Sequence, residues 1–316
     1  MASQPPTRTD VHQHVWTAPL LDALAARERL PFVRRSGGIA VLHCVGEQAW
    51  AIDLVSETPR GRADLVREDG LDQALIALSS PIGIEALPRE EARELIDAHL
   101  DGVTELGPEF TAWGPLPLDR PDPHDVDGLI ARGCAGVSVA AGALADPTAL
   151  DRIGAGLERA QRLGAPVFVH PGPAPGLHLP QPSLDQPLWW PALTTYVAEM
   201  QAAWLTFVTI GRREHPRLRI LFAMLAGGAP LLSERLAVRG GPPIELRDPL
   251  TFYETSSYGP VAIQAMADRV GAGQLLYGSD RPVIEPVPAA GWDMTLQANA
   301  AQFVATAHTD PAAVAA

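Results

Sequence analysis

The chain has 316 residues, of which 47% are hydrophobic and 19% are charged, with a formal net charge of −13 at pH 7. This composition is typical of a soluble globular enzyme, and the absence of a long uncharged apolar run argues against a membrane protein. The acidic balance disfavours nucleic acids and anionic membranes as partners, because both require concentrated positive charge, and leaves a small molecule as the expected partner.

Three further features of the sequence limit the chemistry. Residues 1–10 contain one arginine and no apolar core, so we predict no secretory signal or transit peptide and a cytoplasmic location. All 24 basic side chains are arginine, which excludes Schiff-base chemistry and a carbamylated-lysine metal bridge. The two cysteines, Cys44 and Cys134, are far apart in sequence, which argues against a disulfide framework and a cysteine-based zinc knuckle.

Eight apolar, β-branched runs recur along the chain, and each is followed by a segment with helical spacing. Such continuously apolar strands are expected where both faces of a parallel sheet are buried. The repeated βα units predict an α/β fold, a single (β/α)8 TIM barrel that spans residues 1–316 as one domain. The predicted strands are 9–15, 73–78, 110–116, 136–140, 166–170, 218–224, 251–255 and 274–277.

The intervening helices are clearest at 90–103 and 191–212, where apolar residues repeat at helical spacing. Two helix starts are marked by proline. Pro123 is expected to open one helix, and Asp146-Pro147-Thr148 another.

Two segments break the alternation, and each follows a predicted strand that contributes histidine. Within the first, about 31–57, the pieces 39–45 and 49–55 flank Gly46-Glu47-Gln48, which predicts a β-hairpin inserted after the first helix. The second, about 171–191, is rich in proline and glycine. A long loop after a barrel strand is positioned to form an active-site wall.

The first strand carries the strongest chemical signal. His12 and His14 are separated by one residue, so on a strand both imidazoles point to the same face and can converge on one ion. His170 ends the fifth strand and Asp280 follows the eighth. Because all strand carboxyl ends of a barrel meet at one rim, these four side chains are predicted to gather there. Three imidazoles and one carboxylate suit Zn²⁺, with Mn²⁺, Fe²⁺ and Co²⁺ as alternatives.

Three stretches resemble the amidohydrolase superfamily: DVHQHVW at 10–16, VFVHPG at 167–172 and LLYGSDRPV at 275–283. More narrowly, they resemble its amidohydrolase-related branch, which includes aminocarboxymuconate-semialdehyde decarboxylase and lactonases, and the resemblance spans nearly the whole chain. It implies that the residues matching those four side chains hold one divalent metal ion. The missing lysine fits this branch, since binuclear members usually bridge two metals with a carbamylated lysine.

The sixth strand departs from the family pattern. Met224 stands where many members have a histidine that positions water or substrate. We expect hydrolysis of a small amide, cyclic amide or lactone by metal-activated water, with His170 and Asp280 as the catalytic residues and Asp280 as the proton acceptor. Two alternatives remain: non-oxidative decarboxylation of an aromatic or enoic carboxylic acid, and a non-catalytic binding protein on a degenerate barrel.

Five further residues are candidates for substrate binding. Arg281 can pair with a carboxylate in bidentate fashion, although an ion-pair role is equally typical. His178 lies in the long loop, and Trp189 and Trp190 can stack on a planar substrate or anchor the next helix. Tyr258 offers a hydroxyl after the seventh strand. The tryptophan-containing helix after the fifth strand is also where we expect a homodimer interface.

Overall fold

The computed structural model describes residues 8–176 and 185–307. Its strands within these residues are β1 (Thr9–Gln13), β2 (Phe32–Ser36), β3 (Ile39–His43), β4 (Trp50–Asp53), β5 (Gln73–Ile76), β6 (Phe110–Pro115), β7 (Gly136–Ala140), β8 (Val167–His170), β9 (Ile220–Phe222), β10 (Thr251–Glu254) and β11 (Leu275–Leu276). Its helices are α1 (Ala18–Ala25), α2 (Pro59–Glu68), α3 (Arg89–Thr104), α4 (Pro123–Ala131), α5 (Pro147–Arg162), α6 (Trp190–Leu193), α7 (Thr195–Thr206), α8 (Arg212–Glu214), α9 (Ser233–Val238), α10 (Pro260–Val270) and α11 (Asp293–Ala305).

Eight of the strands form one parallel sheet in the order β1-β5-β6-β7-β8-β9-β10-β11. The last strand meets the first through backbone hydrogen bonds from Val11 N to Tyr277 O (3.0 Å) and from Asp280 N to His12 O (2.9 Å). The sheet is therefore a nearly closed barrel, and the predicted (β/α)8 fold is confirmed. All eight predicted barrel strands are present.

The barrel interior is filled by aromatic rings below the carboxyl-terminal rim. Trp113 stacks on Phe168 with ring centroids 5.2 Å apart, and its indole Nε1 donates to Val11 O at 2.9 Å. Burying a side chain of this size contributes roughly 1.5–3 kcal/mol. The Phe168 ring also contacts the His12 imidazole edge-on, with centroids 5.1 Å apart. The apolar core thus supports the histidines from below.

The predicted helix starts are confirmed. Asp122 accepts a hydrogen bond from the His124 backbone N (2.9 Å) at the start of α4, and Asp146 caps α5 by accepting from Ala149 N (2.8 Å). In each case proline is the first helical residue, where its missing N–H costs nothing.

The single helix predicted over 191–212 is divided into several pieces. Thr194 leaves the helical conformation between α6 and α7, and its hydroxyl donates to Trp190 O at 2.7 Å. A π-helical turn, Phe207–Gly211, then joins α7 to α8. Apolar spacing predicted the helical content of this segment but not its break at Thr194.

The insertion after α1 is a three-stranded antiparallel sheet in the order β2-β3-β4. The two strands of the predicted hairpin are present as β3 and β4. The additional strand, β2, pairs with β3 from Phe32 opposite His43 to Ser36 opposite Ile39. Its exposed arginines hid it from a search for apolar runs. The hairpin tip reaches α7, where the Tyr196 hydroxyl donates to Glu47 Oε1 at 2.8 Å.

No helix within residues 8–176 and 185–307 is both long enough and apolar enough to cross a bilayer.

Candidate metal centre

The four side chains predicted to gather at the rim are close together in the structure. His12 lies on β1, His14 directly follows it, His170 ends β8 and Asp280 follows β11. One potential ligand atom from each residue lies within 4.8 Å of those of the others. His12, His14 and His170 are 2%, 2% and 6% exposed. Strand ends far apart in sequence therefore form one buried cluster.

The distances within the cluster suit a single small ion. The Nε2 atoms of His12 and His14 are 3.1 Å apart, and Asp280 Oδ1 lies 3.1 Å from His14 Nε2 and 3.6 Å from His12 Nε2. Around a tetrahedral ion with bonds of about 2.0–2.1 Å, neighbouring ligand atoms lie roughly 3.3–3.4 Å apart. The donor set and its spacing therefore fit a divalent metal ion.

Two of the imidazoles are oriented by backbone carbonyls. His14 Nδ1 lies 2.8 Å from Ala77 O, and His170 Nδ1 lies 2.9 Å from Pro171 O. Because a carbonyl oxygen only accepts, each Nδ1 carries the proton and donates it. The lone pair is then on Nε2, which is the arrangement found in metal-binding histidines.

His12 is oriented differently, by a carboxylate. Its Nδ1 lies 3.3 Å from Oε1 of Glu254, a side chain that is fully buried at the end of β10. Burial on its own would lower the pKa of His12, but Glu254, and then Asp280, raise that pKa to about 9. The two carboxylates therefore favour a positive charge within the cluster, which is what a cation would supply.

Asp280 reaches the cluster through an unusual backbone conformation. Its φ is 60°, in the left-handed region that aspartate tolerates better than most residues. The side chain is 19% exposed, whereas the imidazoles are almost completely buried. Asp280 is therefore the most solvent-accessible member of the cluster.

A second buried carboxylate, Asp10, joins the first and last strands below the cluster. It accepts hydrogen bonds from the backbone of His12 (2.9 Å) and Ser279 (3.1 Å) and from the side chain of Gln13 (2.9 Å). Burial raises the pKa of Asp10 to about 6 despite these donors. Asp10 fixes the backbone on either side of the candidate ligands.

Met224 starts a left-handed turn after β9. Residues 224–228 have φ values of 44°, 51°, 54°, 60° and 74°. Such a run is rare for residues other than glycine and costs conformational energy. It is held by the bond from Met224 N to Glu254 and by Gln201 Nε2, which donates to Gly227 O at 2.9 Å.

The residues predicted to bind substrate are placed less uniformly. Asp69 binds the Arg281 guanidinium in bidentate fashion, with distances of 2.6 and 2.9 Å, and Glu285 lies 2.9 Å from it. Trp189 and Trp190 are 55% and 42% exposed, with ring centroids 5.6 Å apart.

Tyr258 is partly buried, and burial, with a smaller effect of Glu254, raises the pKa of its hydroxyl. His178 lies outside the described residues. Substrate binding by these five residues remains a prediction.

Glu254 is the residue at this site that sequence reasoning missed. It occurs in the stretch Thr251–Ser256, where the apolar strand ends in a charged side chain. The same signal, a polar residue closing an apolar strand, identified His170. Only the fold shows that this carboxylate faces His12.

No family model matches the sequence, and no curated protein matches it significantly. Solved structures do match. IDCase from Metarhizium anisopliae is 19% identical with a TM-score of 0.72, covering 97% of this chain and 93% of that one. The 5-carboxyvanillate decarboxylase from Sphingomonas paucimobilis is 16% identical with a TM-score of 0.63, covering 98% of both chains.

A third match is the 5-carboxyvanillate decarboxylase from Novosphingobium aromaticivorans, solved with bound manganese. It is 19% identical with a TM-score of 0.62, covering 99% of this chain and 96% of that one. A protein described as an amidohydrolase II matches over 95% of this chain, with a TM-score of 0.68. The chain therefore has the barrel fold of the amidohydrolase-related proteins that its sequence resembles.

Proposed function

We propose that this protein is a divalent-metal-dependent enzyme that removes carbon dioxide, without oxidation, from an aromatic or enoic carboxylic acid. The observation that carries the metal dependence is the buried cluster of three imidazoles and one carboxylate with ligand atoms within 4.8 Å. Its donor set favours Zn²⁺. Mn²⁺ is the alternative, because a structural neighbour that decarboxylates 5-carboxyvanillate was solved with manganese.

Four residues would hold the ion: His12, His14, His170 and Asp280. A metal ion bound there supplies Lewis-acid polarisation of the substrate carboxylate. Asp280, the exposed member, would donate a proton to the carbon that bears the carboxylate. The bond to the carboxylate then breaks, its electron pair returns to the organic framework, and carbon dioxide leaves. Asp280 regains its proton from solvent.

The choice of decarboxylation over hydrolysis is supported by the structural neighbours. Two neighbours that cover nearly the whole chain are decarboxylases of 5-carboxyvanillate, and another acts on 2,6-dihydroxybenzoate. The exposed pair Trp189 and Trp190 would suit a planar substrate.

Hydrolysis of a small amide or lactone is the second candidate, and the arrangement of the nearby arginines favours it. Two arginines next to the cluster, Arg62 and Arg281, are already close to the acidic side chains Glu57 and Asp69. A neutral lactone or amide needs no arginine. In this reaction Asp280 would accept a proton from the attacking water.

The two reactions can be separated with one substrate panel. Chelator-treated protein is reconstituted with Mn²⁺ or Zn²⁺ and given hydroxybenzoates, enoic acids, lactones and cyclic amides. Release of labelled carbon dioxide that requires metal supports decarboxylation. Release of acid from a lactone or amide without carbon dioxide supports hydrolysis instead. Purified protein that binds neither metal refutes both.

A further inference from the structure

Glu254 is a fully buried carboxylate at the end of β10. A buried charge is costly unless donors surround it. Glu254 has them: Met224 N at 2.5 Å, Ser256 N at 2.9 Å and Ser256 Oγ at 2.6 Å. Two of these donors are backbone groups, so the carboxylate has a fixed position that does not depend on mobile side chains.

Gly278 leaves room for the Glu254 carboxylate beside β1, because glycine has no Cβ atom. A Cβ atom at Gly278 would lie 2.1 Å from Glu254 Oε2 and 3.1 Å from the Cβ of His12. Any side chain at position 278 would therefore displace the carboxylate or the imidazole. Glycine at this position allows the strand that leads to Asp280 to pass close to both groups.

His12 differs from the other two imidazoles in what faces its Nδ1 atom. His14 and His170 have neutral carbonyl partners, Ala77 O and Pro171 O. His12 Nδ1 is buried and makes no well-aligned hydrogen bond within the described residues, and the Glu254 oxygen faces it at 3.3 Å. A carboxylate that accepts the Nδ1 proton fixes the ring and makes Nε2 a better ligand.

The same oxygen, Oε1 of Glu254, also accepts the hydrogen bond from Met224 N. Met224 begins the left-handed turn after β9. One atom therefore contacts both the candidate metal ligand on β1 and the strained turn after β9.

We propose that Glu254 is the positioning residue of this site: its carboxylate accepts the Nδ1 proton of His12 and holds Nε2 towards the cluster, while Met224 and Ser256 hold the carboxylate. This inference rests on the metal-binding part of the proposed function and is independent of which reaction follows.

The test measures metal affinity by competition with a chromophoric chelator for Mn²⁺ and Zn²⁺. Glu254→Gln should weaken binding about 10- to 100-fold, because a neutral amide oxygen accepts the Nδ1 proton more weakly than a carboxylate does and leaves Nε2 a poorer ligand. Glu254→Asp keeps the negative charge but moves it away from the His12 imidazole, because the side chain is shorter. It should therefore give an intermediate loss of metal affinity. If Glu254→Gln does not fold, the comparison rests on Glu254→Asp.

One matched variant separates positioning from general stability. Glu85→Gln changes another fully buried carboxyl group, which accepts a hydrogen bond from Ser80. It should keep the metal affinity of the parent protein, whatever happens to its unfolding temperature. Ser256→Ala removes one donor to the Glu254 carboxylate but leaves the two backbone donors, so it should weaken metal binding less than Glu254→Gln does. Equal metal affinities for Glu254→Gln and Glu85→Gln would overturn the proposal.

A measurement without metal keeps this result distinct from failure of the proposed function. In ¹⁵N spectra of the metal-free protein, Glu254→Gln should shift the ring nitrogens of His12 more than those of His14 and His170. If the parent protein binds no metal, the proposed function fails and this measurement alone decides the inference. Unchanged His12 nitrogens would then overturn it.

Discussion

The two ends of the barrel both bury ionisable side chains, but they do so in different ways. At the carboxyl end, three histidines and the carboxylates of Asp280 and Glu254 face one another. At the amino end, Arg219 is buried almost alone. Its guanidinium lies 4.4 Å from the ring centre of Phe303 and 5.7 Å from that of Phe252, and it donates to Phe303 O at 2.7 Å.

The two kinds of buried charge indicate different roles: a binding site at the carboxyl end and a structural contact at the amino end. Arg219 has two nitrogens without a hydrogen-bond partner in the described part of the chain, and burial lowers its pKa to about 10. It fixes the last helix to the barrel floor. The rim cluster instead has donors and acceptors arranged around a common centre and opens at Asp280. Buried charge that converges on a point and reaches solvent indicates a binding site, whereas isolated buried charge indicates a structural contact.

The largest expected effect follows from removing an imidazole at the rim. His14→Ala should abolish metal-dependent activity and weaken metal binding by at least about 100-fold, because it removes a predicted ligand. Metal content of the purified protein and competition with a chelator measure this. His124→Ala is the control, since that imidazole is a solvent-exposed side chain on α4. A His14→Ala protein with normal metal content would contradict the assignment.

Asp280→Asn should lower kcat by about 100- to 10,000-fold at saturating metal, because the amide cannot transfer the proton. Metal affinity should fall as well, so turnover has to be measured with metal in excess. Asp64→Asn, on the exposed face of α2, serves as the control. Retention of kcat in Asp280→Asn would show that another group moves the proton.

A substitution at the amino end of the barrel should change the free energy of unfolding but not the metal affinity. Arg219→Ala removes the contacts with both phenylalanine rings and the helix carbonyl, and should reduce the free energy of unfolding by about 1–3 kcal/mol. Denaturant unfolding measures this change, and chelator competition on the folded variant should give the parent metal affinity. A loss of metal affinity in Arg219→Ala would show that the two ends are coupled, and would contradict a purely structural role for Arg219.

The smallest effect is expected at the exposed tryptophan pair. Trp189→Ala should change the free energy of unfolding by less than about 0.5 kcal/mol, because the ring is more than half exposed. If the ring stacks on substrate, KM should rise severalfold while kcat stays the same. Steady-state kinetics with a panel compound that the enzyme turns over measures both, and Val238→Ala, another exposed apolar truncation, is the control. An unchanged KM would show that Trp189 does not bind the substrate.

Much of the fold and part of the site could be predicted because the signals are local. Apolar runs such as Val167–His170 identify strands by burial on both faces, and the one-residue spacing of His12 and His14 places both rings on one face. Barrel geometry then brings strand ends together without knowledge of any particular contact. This is why four separated residues could be assigned to one cluster.

The remaining features depend on contacts between distant residues. Strand β2 exists because it pairs with β3, not because its own residues are apolar. Arg281 is engaged by Asp69, a partner 212 residues away, and Glu254 acquires its importance from facing His12. The sequence by itself thus determined the barrel and the convergence of the histidines, since periodicity encodes both. Only the tertiary structure decided which charges are paired and which carboxylate orients the ring, because those pairings depend on three-dimensional packing.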